Sequence, residues 1–591
     1  MTTIKKYKIL SQINQPADLK NLTTNQLNDA ASDICALILD RVSQVGGHLG
    51  PNLGIVEITI ALHYVFNSPQ DKIVWDVSHQ CYPHKILTGR REGFEKFKEN
   101  NDVSGFTNTS ESPHDHFNVG HTSTSISLAS GLAKARDFQG KNNENIIAVI
   151  GDGSLSGGEA FEALDNLEEL NSNFIIVVND NNMSIAENHG GLYGNLKELR
   201  ETKGKSPHNY FKSLGLDYIY IEDGHDLDLL ITQLSQVKDI DHPIVVHIAT
   251  QKGKGYQFAE NSETKENFHF TAPFDLKTGQ LASEKTNNNS KATSYNSLLI
   301  NYLDQKIAQE PNTAIIVPGT PILGKSLRQK YPNNFIDVGI AEEHAIAFAS
   351  GLAKGGTKPY VVVASTFIQR AYDQIMQDWC LSKTPVSLIV CGSGISSSDY
   401  THVGMYDIPM LSNIPELTYL TPTSDSEFIK MMDWISTQNF PTALRIDRHL
   451  APVVAPEDVP AIQLNQSIIT QKGDQIALIG LGHFYELTQK VAALLEEQNG
   501  IKPTLINPRF ISALDEKMLA SLPLRHQKIV TLEDGQLDGG FGEKVTRFYA
   551  KNTGVQVYNF GAQKEFIDRI PHPELMKRYH LTPEQVIAQI M

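Results

Sequence analysis

The chain has 591 residues, room for three or four domains at about 150 residues each. A net charge of −16 and a pI near 5.7 argue against a nucleic-acid surface. The four cysteines show no CxxC spacing, no run of eighteen apolar residues occurs, and the first residues lack a signal peptide's apolar core. These features point to reduced thiols and a cytoplasmic enzyme with no membrane partner.

From the N-terminus, 19–46 reads as a helix entered through Asn21 or Thr23/Thr24. The Gly/Pro-rich loop GGHLGPNLG then carries His48 ahead of an apolar helix from Ile55. His79 in WDVSHQCYPHK and His121 in VGHTSTSIS recur in the same setting, beside Gly or Ser and ahead of a helix. One histidine in such a loop is more often structural than catalytic, but three are harder to dismiss. An apolar helix over 126–135 leads into the stretch 145–186, around which the rest is organised.

In that stretch two apolar runs, 146–150 and 174–179, flank a helical pattern of Ala160, Phe161, Leu164, Leu167 and Leu170. A strand, helix and strand of this length form a parallel crossover, so both strands end on one sheet edge. Open α/β sheets bind ligands at that edge. Asp152 and Asn181 therefore sit on neighbouring strand tips. With the backbone carbonyl of Met183 they offer hard oxygen donors suited to Mg²⁺, which keeps places for phosphate oxygens and water. Gly151, Gly153, Gly157 and Gly158 let the backbone approach a phosphate beside a helix N-terminus. A lone Asp-Gly turn would bind nothing; the Asn-rich loop on the next tip makes the pair informative.

The polar run LASEKTNNNSKATS (281–294) reads as a linker. A second α/β unit follows, with strands near 314–317, 360–364, 386–391 and 417–419. Beyond a second linker, 453–466, strands are expected at 475–479, 502–506 and 528–531. In the second unit, 335–338 reads as a strand whose turn delivers Glu342 to a helix beginning at His344. An acidic residue there ordinarily just stabilises the helix N-terminus, and spacing alone does not choose between Glu342 and Glu343.

The stretches GHLGPNLGIVEITIALHYVF, WDVSHQCYPHKILTGRR, VGHTSTSIS, GDGSLSGGEAFEALDNL, NDNNMSI, TQKGKGY, FHFTAPFD, IDVGIAEEHAIAFASGLAKGG, STFIQRAYDQI and DGGFG together resemble the 1-deoxy-D-xylulose-5-phosphate synthase family. These are transketolase-like enzymes dependent on thiamine diphosphate, and the resemblance runs in order through essentially the whole chain. It implies three transketolase-like α/β domains with mostly parallel sheets: a diphosphate-binding domain (1–290), a pyrimidine-binding domain (291–455) and a C-terminal domain (456–591). A homodimer is implied as well. Mg²⁺ would be held by Asp152, Asn181 and Met183, and the cofactor by His79, His121, Ser123, Gly153, Ser154, Asn181, Ile185, Glu342 and Phe367. The family pattern Ile-Ala-Glu-x-His selects Glu342 as partner of the pyrimidine nitrogen, promoting loss of the thiazolium C2 proton. Phe367 would stack on the pyrimidine and Ile185 would support the bent cofactor. His48, His402 and Asp399 would move protons or hold hydroxyls, and Arg370 and Arg448 would take a phosphate or carboxylate. The implied reaction transfers a two-carbon unit from pyruvate, with loss of CO₂, to an aldehyde. Glyceraldehyde 3-phosphate is first among acceptors, giving 1-deoxy-D-xylulose 5-phosphate.

Several positions depart from the family's pattern. Ala364 stands for a tyrosine, and Cys391-Gly392-Ser393-Gly394-Ile395 replaces an Asp-Arg-Ala-Gly-Ile turn and its arginine. The following loop to His402 is one residue shorter. Asn108 and Thr109 stand where a basic residue is frequent, Ser297 replaces a lysine, and Ser78 replaces a glycine. These changes gather around the expected acceptor phosphate, leaving three readings: the synthase, a transketolase-type enzyme with another donor or a non-phosphorylated acceptor, and an inactive binding subunit.

Overall fold

A computed structural model describes residues 7–97, 103–141, 143–185, 187–282, 293–320, 322–551 and 554–591. Most of the linker expected over 281–294 lies outside the described residues. The chain divides into two compact units, Met1–Asn288 and Asn289–Met591.

The first unit is built on one parallel sheet. Its strands are β1 (Lys72–Trp75), β2 (Ile146–Gly151), β3 (Phe174–Asp180), β4 (Asp217–Ile221) and β5 (Pro243–Ala249), in the order β1-β2-β3-β5-β4. Parallel strands covered on both faces are near-continuous apolar runs. Accordingly Ile147, Val149, Ile175 and Val177 pack into one core, while Ile146, Ala148, Ile150, Ile176 and Val178 pack into the core on the other face. The first long helix is Thr24–Val45, shorter at its start than expected. Thr23 caps it in a capping box with Gln26, and Pro16–Asn21 ahead of it forms a separate tight turn. The helices expected near Ile55 and 126–135 are Val56–Val65 and Ser125–Phe138.

The second unit holds two large sheets. The first is wholly parallel: β7 (Thr313–Val317), β8 (Phe335–Asp337), β9 (Lys358–Ala364), β10 (Ser387–Ser393), β11 (Thr418–Leu420) and β12 (Thr442–Asp447), ordered β11-β12-β10-β9-β7-β8. The second comprises β14 (Ile468–Gln471), β15 (Gln475–Gly480), β16 (Thr504–Asn507), β17 (His526–Gln536) and β18 (Gln556–Ala562), ordered β14-β16-β15-β17-β18. It is parallel except for β14 at its edge. A short antiparallel pair, β6 (Thr293–Ser294) and β13 (Leu450–Ala451), completes the unit. The two larger sheets share one apolar core, in which Val361 and Leu388 belong to the same cluster as Ala477, Ile479 and Ile529. All three large sheets thus follow the expected α/β class. Among the described residues no helix is long and apolar enough to cross a membrane, and all four cysteines are free.

Candidate active site

In the first unit, β2 and β3 pair with Gly151 opposite Asn179, so their loops leave the sheet edge side by side. Asp152 is 1% exposed and accepts from Asn188 Nδ2 at 2.8 Å. Burial, and then the nearby Asp180 charge, push its carboxyl well above the usual range. A neighbouring negative charge in a dry site disfavours ionisation of Asp152 unless a cation offsets it. Asp180 itself is already partnered, by His247 Nε2 at 2.8 Å, by Arg200 and by the Asn182 N–H at 3.0 Å. Asn181 Oδ1, by contrast, is buried and accepts no hydrogen bond, an arrangement that costs free energy unless something else coordinates it. Met183 is buried in the same loop, bridged to Glu187, and Ile185 lies half-buried two residues on.

The loop after β2 forms a close cradle. A Cβ added at Gly153 would come within 2.9 Å of Ser184, and one at Gly157 within 2.1 Å of Ser123 Oγ. Ser123 is fully buried at φ +75° and donates to the Ser154 carbonyl at 2.7 Å. Its N–H and that of Ser125 donate to buried Asp76 at 2.9 and 3.0 Å, which fixes the loop carrying half-buried His121. The residues present therefore fit a diphosphate with its cation: a buried carboxylate and the unpartnered Asn181 oxygen, close-packed glycines in the loop after β2, and a helix (Gly158–Asn166) opening beside them.

Three histidine rings gather in this unit. The His48 ring centroid lies 5.1 Å from that of His79 and 5.7 Å from that of His269, and His79 stacks on His269 at 5.1 Å. Asn52 Nδ2 ties the first two together, donating to the carbonyls of His48 and His79 at 2.8 Å each. Lys252 contacts His269 Nδ1 at 3.0 Å and donates to the Ser184 carbonyl in the loop after β3. Burial lowers Lys252 to about 8, while burial and the Lys252 charge hold His269 far below its ordinary range, so its ring is neutral. His269 and Lys252 were not assigned roles from sequence, although both sit in motifs quoted there. The available signal was a histidine between aromatics in FHFTAPF.

Ser78 shows why its position suits glycine: its φ is +63°. The serine is held there because its hydroxyl donates to the Val119 carbonyl and accepts from the Thr107 N–H, both at 2.8 Å.

In the second unit the helix expected from His344 starts two residues earlier, as Glu342–Lys354. Glu342 is buried, its Oε2 has no hydrogen-bond partner, and burial raises its carboxyl to about 7. Arg370 Nη1 stands 3.9 Å from that oxygen, beyond hydrogen-bond range. Glu343 is only half-buried. Nearby in sequence, Phe367 meets His402 edge to face at 5.6 Å. His402 Nδ1 lies 3.2 Å from Asp399, whose carboxyl is held low by that contact and by Thr401. Arg448 Nη2 donates to the His402 carbonyl at 3.4 Å. Ala364 ends β9 and pairs with Cys391 on β10, so the two departures, Ala364 and Gly392, occupy adjacent strand tips. Gly392 has φ +67°, and a Cβ there would lie 3.2 Å from Arg448 Nε.

Comparison with known proteins finds similarity along nearly the whole chain. The profile described as 1-deoxy-D-xylulose-5-phosphate synthase matches residues 10–207 and 200–250. The transketolase pyrimidine-binding domain matches 307–453 and the transketolase C-terminal domain 465–586. The chain is 38% identical over 621 residues to the 1-deoxy-D-xylulose-5-phosphate synthase of Caldanaerobacter subterraneus, covering 99% of both chains. It is 38% identical to that of Symbiobacterium thermophilum, over 98% of this chain and 94% of the relative. With that of Lachnoclostridium phytofermentans the identity is 37%, over 99% and 98%. Among solved structures, a transketolase variant from Pichia stipitis aligns at 18% identity with a TM-score of 0.44, over 95% of this chain and 97% of that one.

Proposed function

Because the chain belongs to the 1-deoxy-D-xylulose-5-phosphate synthase family, we propose that it condenses pyruvate with glyceraldehyde 3-phosphate, with loss of CO₂, to form 1-deoxy-D-xylulose 5-phosphate. The observation that carries the assignment to this chain is the pair of tips in the first unit. Buried Asp152 and the unpartnered Asn181 oxygen stand on adjacent strands beside a cradle that admits only glycine. Asp152, Asn181 and the Met183 carbonyl would hold Mg²⁺, and Gly153, Ser154, Ser123, His79 and His121 would hold the diphosphate side. When bound, thiamine diphosphate would supply a carbon nucleophile for transfer of a two-carbon unit from pyruvate to an aldehyde. Glu342 would hold the cofactor's pyrimidine nitrogen, and Phe367 and Ile185 would offer it apolar contacts. His48, with neutral His269 behind it, accepts and returns protons near neutral pH. His402, oriented by Asp399, binds a substrate hydroxyl, and Arg370 and Arg448 hold carboxylate and phosphate.

The three family domains, over 1–290, 291–455 and 456–591, act together in a cytoplasmic homodimer in this reading. A second reading, a non-phosphorylated acceptor, draws on Ala364 and Gly392, which leave two adjacent tips without the tyrosine and arginine expected there. The experiment is product analysis by NMR with ¹³C-labelled pyruvate, thiamine diphosphate, Mg²⁺ and a panel of aldehydes. Label in 1-deoxy-D-xylulose 5-phosphate is the expected result. Label only in non-phosphorylated deoxyketoses would select the second reading, and unconsumed pyruvate would overturn both.

A further inference from the structure

The second unit carries a cluster of ligands that the reaction does not use. Asp447 ends β12, His449 follows it by two residues, and His483 precedes the helix Phe484–Asn499. Their ligand atoms all lie within 4.8 Å of one another. The His449 and His483 rings are parallel at 3.8 Å, His449 Nδ1 lies 3.2 Å from Asp447 Oδ1, and the His572 ring centroid is 5.7 Å from that of His449.

Two further atoms point the same way. His572 Nε2 is buried without a hydrogen-bond partner, and so is Asp534 Oδ2, whose charge acts on His449. Unsatisfied buried acceptors are uncommon in folded proteins and ask for a reason.

We propose that Asp447, His449 and His483, with His572 as a fourth ligand, form a binding site for a divalent transition-metal ion of the zinc class. Imidazole and carboxylate donors suit Zn²⁺, Co²⁺ or Ni²⁺. They suit Mg²⁺ poorly, since it prefers oxygen donors. The donor set therefore differs in kind from the hard-oxygen site at Asp152. Ligands sharing a tetrahedral ion at about 2.1 Å stand about 3.4 Å apart, so binding would turn the half-exposed imidazoles and draw in ligand atoms that now lie within 4.8 Å of one another. The cysteines contribute nothing here, which is why their spacing gave no hint of the site. The ion would join β12 to the loops after β15 and β18, pinning the C-terminal sheet to the strand that ends in Asp447.

The test is titration of the chelator-stripped full-length protein with Zn²⁺ by calorimetry, and with Co²⁺ by visible absorption. Millimolar Mg²⁺ is present throughout to fill hard-oxygen sites. The expected result is one equivalent with the intense visible bands of tetrahedral Co²⁺, undisturbed by Mg²⁺ and retained in Asp152→Ala. His449→Ala and His483→Ala should each weaken it by at least tenfold, and His572→Ala should change the Co²⁺ spectrum. Zn²⁺ should raise the melting temperature of the unmodified protein and not that of the His449→Ala/His483→Ala double variant. The proposal is overturned if the double variant keeps the same equivalent, or if the unmodified protein binds only ions that Mg²⁺ displaces.

Discussion

Glu342 combines two features that stability alone would not select: a carboxyl sunk at the first turn of a helix, and an oxygen left without a partner. Burial raises its folded-state value to about 7, from an ordinary 4.5. Unfolded, the group ionises near 4.5; folded, it keeps its proton until about 7. Stability is therefore fully present below pH 4.5 and falls as the pH rises to 7. Glu342→Gln keeps the shape without the ionisation, so its advantage in melting temperature should open across that window and stay constant above it. At about 1.4 kcal/mol for each tenfold change in proton affinity, the gain is a few kcal/mol at most. A gap that stays flat from pH 4 to 8 would show that the carboxyl is not perturbed. The same variant should lose cofactor C2-proton exchange by about 10²–10⁴-fold, while Glu343→Gln, half-buried beside it, should not. Asp152→Ala has the opposite profile. On the proposed function it removes the carboxylate that would meet the cation, and it should abolish Mg²⁺-dependent cofactor binding by calorimetry, leaving the fold intact.

At the scale of elements, the crossover from β2 to β3 was legible because uninterrupted Ile/Val runs bounded by Asp-Gly and Asn-rich turns have few other readings. The His48–His79–His269 grouping was only half legible. Each histidine stood in a recognisable loop, but the ring contact between His79 and His269 is created by the fold, across a separation that no local pattern encodes. Strand β12 escaped the sequence reading for a different reason. TALRID places an arginine in mid-strand, and a buried arginine makes sense only once its partners are known. The adjacent tips of β9 and β10 carry the prediction for acceptor choice. Restoring both family residues is not equivalent to restoring either. Gly392 sits at φ +67°, where a side chain costs roughly 1–2 kcal/mol, and its Cβ would press on Arg448. Ala364→Tyr, at an ordinary strand end, adds a donor without that strain. One hydrogen bond to a charged group is worth about 1.5–3 kcal/mol. Ala364→Tyr alone should then raise kcat/KM for glyceraldehyde 3-phosphate by about tenfold or more, with KM for pyruvate unchanged. Gly392→Arg alone should lower it. Steady-state kinetics with both substrates varied would decide, and equal gains from the two variants would contradict the geometry.

At the scale of the whole chain, the second unit is where sequence similarity and folding energetics draw different lines. Two family domains match there, yet their sheets share one apolar core and are tied by buried charge. Arg445 on β12 donates through Nε to Asp407 at 2.8 Å and through Nη1 to Asp534 on β17 at 2.7 Å, while the Tyr419 hydroxyl adds a third bond to Asp407 at 2.7 Å. A second tie runs from Arg509, past β16, to Glu427 at 2.7 Å, with Asn507 donating to the same carboxylate. Breaking such a buried pair costs about 3–5 kcal/mol, because the remaining charge stays buried and unmatched. Arg445→Ala strands two carboxylates at once, so its loss in denaturant titration should reach the upper part of that range. The location of the loss tests the architecture. If the arginine joins the two sheets, hydrogen exchange should speed up together in β10 and β12 on one side and β15 and β17 on the other, as one cooperative unit. Faster exchange in β12 alone would mean that the sheets open independently and that the family boundary is also a folding boundary. Asp407→Asn offers the complementary case. It removes one charge but keeps an acceptor for Arg445 and Tyr419, so a smaller loss with the same pattern of exchange is expected. That pairing separates the energy of the charge from the energy of the connection.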